Sequence, residues 1–133
     1  MINFKSYVIL NEKLASSDIK EVEKFADNLF AKVGIDVDLA GKHFKERVKD
    51  SRKGKEITTA ELIGIFKKTF KKFGKFLGSS PAGLQAVLKN INNNINIPFM
   101  LKYDKKNNEM DLIAKTIMRK PNFKTSNKTL TVK

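Results

Sequence analysis

The chain has 133 residues and a formal net charge of +13, with 27 Lys and Arg against 14 Asp and Glu, one histidine and no cysteine. This length suits one domain with a single core. The lack of cysteine excludes disulfides, thiolate nucleophiles and the usual structural zinc sites, and fits a reducing compartment. One histidine excludes a histidine-rich metal centre. No apolar run approaches the roughly 20 residues that span a bilayer, so we expect no membrane partner.

The surplus of positive charge favours a polyanion as the partner, and nucleic acid is the leading candidate. The alternative is that the charge serves solubility alone. We expect residues 16–120 to form the domain, after an N-terminal arm over residues 1–15. Residues 121–133 are predicted to be a polar tail, in which Thr129–Val132 can add a short last strand.

Two helices are predicted in the first part of the chain. Ser17–Val33 has apolar residues at spacings of three and four, and Gly34 follows as a natural stop. A second helix is predicted from Asp38 to about Asp50. Its buried row is Val37, Ala40, Phe44 and Val48, and its neighbouring row is Leu39, His43 and Arg47. Residues four apart are neighbours on a helix, so His43 and Arg47 are expected to project side by side.

A third helix is predicted after a basic loop that contains Arg52, Lys53 and Lys55. Thr58 and Glu61 form a capping box of the Thr-x-x-Glu kind at its start. Its predicted apolar face is Leu62, Phe66, Thr69, Phe70, Phe73, Phe76 and Leu77, and its cationic face is Lys67, Lys68, Lys71, Lys72 and Lys75. The phenylalanines follow the apolar spacing, which indicates core residues rather than platforms for base stacking. The lysines are the solvated side of the helix, and some of them could track phosphates.

After Gly83 the pattern changes from helical to alternating, which predicts a sheet. The predicted strands are Leu84–Lys89, Ile95–Tyr103, Glu109–Arg119 and Thr129–Val132. Pro98 argues that the second of these strands lies at an edge or contains a bulge. The expected fold class is therefore α+β, with three N-terminal helices packed on a C-terminal antiparallel four-stranded sheet.

This order of elements, with His43-x-x-x-Arg47 on a helix, resembles the barnase, EndoU, colicin and RelE group of small nucleases. Within that group the chain is most similar to the RegB-type endoribonucleases of tailed phages, over roughly residues 36–120. The family pattern has a second histidine on the next helix, in a Glu-Leu-Phe-His stretch. The matching stretch here is Gly64-Ile65-Phe66-Lys67, so Lys67 replaces that histidine.

The resemblance implies metal-independent RNA cleavage by attack of the ribose 2'-OH, without a cofactor. His43 would be the base, because imidazoles suit proton transfer near neutral pH, and Arg47 would clamp the phosphate. For the proton donor we rank Lys67 before Lys102 and Tyr103, and the end of the last long strand offers Arg119 or Thr116. The predicted nucleic-acid-binding residues are Arg52, Lys53, Lys55, Lys71, Lys102 and Lys120. RNA is favoured over DNA as the partner.

The first dozen residues are similar to the capsid-targeting leaders of internal proteins in large tailed phages, which are cut after a Leu-x-Glu motif. Leu10-Asn11-Glu12 fits that motif. A leader would make the protein a virion passenger that is delivered with the genome and acts in the host cytoplasm. An ordinary first strand or arm is the alternative.

Three other interpretations stay open at this point. His43 could be a half-buried helix residue that only packs beside Phe44. The chain could also be a non-catalytic nucleic-acid-binding or virion-associated protein, a reading that the replacement by Lys67 favours. Metal-dependent hydrolysis through Glu109 and Asp111 is weaker, because the sequence places no third carboxylate beside them.

Overall fold

The computed structural model of the protein describes residues 16–49 and 57–133. The leader motif, the N-terminal arm and the basic loop with Arg52, Lys53 and Lys55 lie outside these ranges. The described part is α+β, as predicted, with three α-helices and one mixed sheet of six strands. The helices are α1 (Ser16–Phe30), α2 (Lys42–Lys49) and α3 (Thr59–Gly78). The strands are β1 (Ile35–Asp38), β2 (Gln85–Asn90), β3 (Ile95–Asp104), β4 (Glu109–Ala114), β5 (Met118–Arg119) and β6 (Lys128–Val132).

The sheet has the order β1-β4-β3-β2-β6, and β5 pairs with one end of β3. The three middle strands form an antiparallel meander, which matches the predicted pairing. The two outer strands do not match it, because β1 runs parallel to β4 and β6 runs parallel to β2. The expectation of a purely antiparallel four-stranded sheet is therefore corrected to a mixed one.

Strand β1 replaces the start of the predicted second helix. Ile35 and Val37 are buried and alternate with the half-buried Asp36 and Asp38, which is the period of a strand. Ala40 was predicted in the buried row and Leu39 in the row beside it. In the structure Leu39 is buried and Ala40 is exposed, because both lie in the connection before α2. A run of four alternating residues is too short to outweigh a helical pattern that overlaps it.

Helix α3 starts where the sequence indicates, whereas α1 ends at Phe30, before its predicted end at Val33. After α1, a 3-10 turn over Ala31–Val33 ends at Gly34, whose φ of 76° is left-handed. At the start of α3, Thr58 accepts from the backbone N–H of Glu61, and the Glu61 side chain accepts from the N–H of Thr58. This reciprocal capping box confirms the predicted helix start.

One face of α3 is buried, and its lysine face is exposed, as predicted. The buried side chains include Leu62, Phe66 and Leu77. Phe76 is the exception on the apolar face, because it is 38% exposed. It lies in the last turn of the helix. The prediction that Phe76 is a core residue was therefore wrong.

The predicted strand Glu109–Arg119 is interrupted over residues 115–117, which separates β4 from β5. Pro98 lies on β3 at the level of this break. On one side of Pro98, Phe99 of β3 pairs with β4, and on the other side Asn96 of β3 pairs with β5. Proline has no N–H to donate to a neighbouring strand, so an interrupted ladder suits it. Strand β3 is the middle strand of the sheet, and its register with β2 continues through Pro98. The predicted edge position is therefore wrong, and the interruption lies in the neighbouring strand and not in β3.

Side chains of the helices contact both outer strands of the sheet. On β1, the backbone N–H of Val37 donates to Asp27 Oδ1 of α1. Directly after β1, the N–H of Leu39 donates to Glu23 Oε2 of α1 at 2.7 Å. On β6, Lys72 of α3 donates to the carbonyl of Thr131 at 3.0 Å. These bonds join each outer strand to the helix packed beside it.

The carboxyl group of Asp27 gives the fold a pH dependence. Its pKa is raised from 3.8 to about 7, mainly by burial and in addition by the nearby carboxylates of Asp36 and Glu23. The hydrogen bond from the Val37 N–H acts in the opposite direction but is outweighed. The folded state therefore keeps a proton that the unfolded state releases. The free energy of unfolding should fall as the pH rises from about 4 to about 7, and this group should add no further change above that range.

Asp27→Asn is expected to remove this dependence, because the amide keeps an oxygen acceptor for Val37 and has no charge. At pH 8 the variant should melt at a higher temperature than the unchanged protein, and at pH 5 the two should converge. Thermal unfolding at the two pH values measures the difference, with Glu21→Gln, an exposed site on the same helix, as the control. A variant that melts lower at pH 8 would contradict the expectation.

Candidate nucleic-acid interface

Helix α2 presents His43 and Arg47 to solvent. Phe44 and Val48 bury the opposite side of this helix in the core, which fixes the outward direction of the other residues. The His43 side chain is 82% exposed, and its Nδ1 lies 4.0 Å from Oε2 of Glu46. His43 is therefore not a packed core residue, and Arg47 is exposed one turn further along.

Arg119 is held by an ion pair with the capping residue of α3. Its guanidinium donates to the Glu61 carboxylate at 2.7 and 2.8 Å and to the carbonyl of Asn93 at 2.9 Å. The side chains of Arg119 and Glu61 are 17% and 24% exposed. This bidentate ion pair joins β5 to the first turn of α3.

The same contacts set the acidity of Glu61. Burial acts to raise its pKa, but the hydrogen bonds from Arg119 and from the backbone of Thr58 outweigh burial, so the net pKa is lowered. The pair is therefore ionised at neutral pH. These contacts hold Arg119 against the start of α3, and its catalytic role stays a prediction.

The other predicted site residues are spread over the surface. Lys67 and Lys71 are exposed on α3, Lys102 is exposed on β3, and Lys120 is exposed just after β5. Thr116 is half-buried in the break between β4 and β5. Tyr103 is exposed, and its hydroxyl hydrogen-bonds to Asn108. Within the described residues, no hydrogen bond or ion pair joins His43 to Arg47 or to Lys67.

A group of exposed lysines instead lies together where α3 meets β6. We call this group the basic face, and its members are Lys68, Lys71, Lys72, Lys75, Lys128 and Lys133. A groove of about 460 Å3 runs through it, lined by Lys68, Lys71, Lys72, Val132 and Lys133. Four of these lysines come from the exposed face of α3 that the sequence predicts. The other two come from the end of the chain, and only the tertiary pairing of β6 with β2 places them there.

Positive charge is unevenly distributed along the chain, and its excess lies in the segments that form the basic face. Residues 62–103 and 112–133 contain 13 Lys and Arg residues and no Asp or Glu. The remaining 14 Lys and Arg residues equal the 14 Asp and Glu residues, so these two segments account for the whole net charge of +13. The two segments contain all six lysines of the basic face. This asymmetry is visible in the sequence, but inspection of local motifs overlooks it.

An acidic cluster lies on β1 and β4, at the other end of the sheet from β6. Asp36, Glu109 and Asp111 each place a carboxylate oxygen within 4.8 Å of the others. No third carboxylate was predicted beside Glu109 and Asp111. Asp36 supplies it, because the parallel pairing of β1 with β4 sets Asp36 opposite Asp111. Burial, followed by the charges of Asp36, Asp104 and Glu109, raises the pKa of Asp111. Carboxylate oxygens suit a hard divalent cation, and as a group they repel phosphate from this side.

Comparison with protein-family models, with curated proteins and with solved structures finds no match to this chain. The likeness to phage RegB-type endoribonucleases therefore stays a prediction. Among the helices in residues 16–49 and 57–133, none combines the length and the apolar character needed to cross a bilayer.

Proposed function

We propose that this protein binds nucleic acid through the basic face. The observation that carries the proposal is the grouping of six exposed lysines from two acid-free segments where α3 meets β6, four of which line one groove. Solubility alone needs charge but no clustering, since dispersed lysines would serve equally well. A phosphate backbone matches a cationic groove, and the acidic cluster on the β1 side of the sheet directs that backbone toward it.

Binding of this kind depends strongly on salt, because each phosphate contact releases a condensed counterion. Six lysine contacts predict a slope of log affinity against log salt of about −4 for a single strand and about −5 for a duplex. RNA is the first ligand to test, since the resemblance to ribonucleases favours it over DNA.

A second candidate function is metal-independent RNA cleavage, and the exposure of His43 beside Arg47 on α2 favours it. In that reaction the 2'-OH of the ribose attacks the adjacent phosphorus, and His43 takes its proton. Arg47 would neutralise the phosphorane, and a donor, with Lys67 ranked first, would protonate the leaving 5'-oxygen. The products would be a 2',3'-cyclic phosphate and a 5'-hydroxyl.

One experiment separates the two functions. Labelled RNA is incubated in EDTA with the protein and with His43→Ala, and is analysed both for binding in increasing salt and for cleavage. We expect both proteins to bind intact RNA with the same steep salt dependence, because His43 lies outside the basic face. A 2',3'-cyclic phosphate product that His43→Ala fails to make would establish the second candidate instead. RNA that is neither bound nor cut at low salt would refute both.

A further inference from the structure

Phe76 is an exposed aromatic ring at one end of the basic face. It is 38% exposed, and the Nζ of Lys128 lies 5.1 Å from the centre of its ring. One helical turn earlier, the Nζ of Lys72 lies 5.3 Å from the ring of the half-buried Phe73. Two ammonium groups therefore lie against aromatic rings in the last two turns of α3.

Strand β6 runs beside α3 in the opposite direction, which arranges these groups in a line. Its first residue, Lys128, meets Phe76 near the end of the helix, and the carbonyl of Thr131 accepts from Lys72 in the middle. The last residues of the chain reach the groove beside Lys68. Positions 68 and 76 are eight residues apart on the helix, which corresponds to about 12 Å.

We infer that the basic face takes single-stranded nucleic acid, with one base stacked on the exposed ring of Phe76 and the neighbouring phosphates held by Lys128 and Lys72. The inference rests on the proposed function and specifies its ligand. Proteins that bind single strands without sequence preference combine a cationic groove with exposed aromatic rings, because every base offers a flat face for stacking.

A duplex cannot use the same contact. Its bases are stacked inside the helix and offer only their edges, so a duplex on this face would touch the lysines and leave Phe76 unused. An anionic membrane would also be attracted by the lysines. Insertion into a membrane needs an apolar face, however, and in the described part of α3 Phe76 is the one exposed large apolar residue.

Two substitutions at Phe76 test the inference. Phe76→Leu keeps an apolar side chain but removes the ring, and it is expected to weaken binding of a 12-nucleotide oligouridine about 10-fold, the effect of losing one stacked base. Binding of a duplex RNA of the same length should not change. The chain contains no tryptophan, so Phe76→Trp adds one fluorescent side chain at this position. The fluorescence of this tryptophan should be quenched when the oligouridine binds.

Asn28 supplies the control, because it is neutral, exposed on α1 and outside the basic face. Asn28→Leu should leave the affinity for oligouridine unchanged, and Asn28→Trp should show no quenching.

The outcomes distinguish the inference from the proposed function. If the unchanged protein binds neither the oligouridine nor the duplex, both are refuted. If it binds both nucleic acids and Phe76→Leu binds the oligouridine as tightly as before, the inference alone is overturned. Preferential binding to phosphatidylserine vesicles, with a blue shift of Phe76→Trp fluorescence, would also overturn it in favour of a membrane surface.

Discussion

Exchange of Lys68 and Lys71 for glutamate is expected to weaken binding of a single-stranded oligonucleotide about 25-fold at 0.1 M salt. Each lost phosphate contact removes a factor of about 5 at this salt concentration, since affinity for single strands scales with salt to the power of about −0.7 for each contact. The salt slope should become shallower by about 1.4. Fluorescence anisotropy at several salt concentrations measures both quantities.

The fold should tolerate this double substitution. Both lysines are exposed, and glutamates at 68 and 71 would each lie four residues before a lysine, at Lys72 and Lys75, an arrangement that slightly stabilises a helix. The matched control is the double exchange of Lys105 and Lys106 for glutamate, which alters the net charge equally at the exposed β3–β4 turn. Equal weakening by both double variants would show that total charge, and not the basic face, attracts the ligand.

Replacement of Arg119 by methionine is expected to lower the free energy of unfolding by about 2 kcal/mol at pH 7. The change leaves the half-buried carboxylate of Glu61 without its guanidinium and removes a donor from the carbonyl of Asn93. Loss of one partner from a buried ion pair costs about 3–5 kcal/mol, and the partial exposure of both side chains reduces that cost. Urea unfolding monitored by circular dichroism measures the loss.

The pH dependence of this loss identifies its cause. The lowered pKa of Glu61 stabilises the fold above the ordinary pKa of a glutamate and stops doing so as the pH falls through the folded-state value. The methionine variant and the unchanged protein should therefore converge in acid. Arg119→Lys, which keeps the charge but lacks the planar fork, should lose about half as much. Unchanged stability in Arg119→Met, together with lost RNA cleavage, would assign Arg119 a catalytic role instead.

Long amphipathic patterns and capping chemistry made most of the fold predictable. Helix α3 carries its start signal in Thr58 and Glu61, and the alternation from Ile95 onward indicates β3 directly. Strand β1 was missed because its four residues continue an apolar row that also suits a helix. The parallel pairing of β6 with β2 joins residues about 40 positions apart, and local patterns do not encode such pairing.

The candidate site was only partly predictable, for related reasons. The exposed lysines of α3 follow from its period. The pattern of α2 places His43 and Arg47 only beside the apolar row, so it left open whether His43 is half-buried or exposed. The contribution of Lys128 depends on where the last strand pairs. The spacing of Phe76 along α3 is that of a core residue. Its exposure depends on where α3 extends beyond the elements that pack against it, which the spacing does not show. The ion pair of Arg119 was not predicted, because a sequence does not show that Glu61 lies opposite Arg119.

The bonds that α1 and α3 make to the outer strands also affect how molecules of this protein meet one another. A sheet margin with free amides and carbonyls is a template for a strand from a second molecule, and growth from it leads to fibrils. At β1 and directly after it, the amides of Val37 and Leu39 already donate to Asp27 and Glu23, and at β6 the carbonyl of Thr131 already accepts from Lys72. An incoming strand would have to displace these partners first, so we expect concentrated solutions of the folded protein to resist amyloid-like growth.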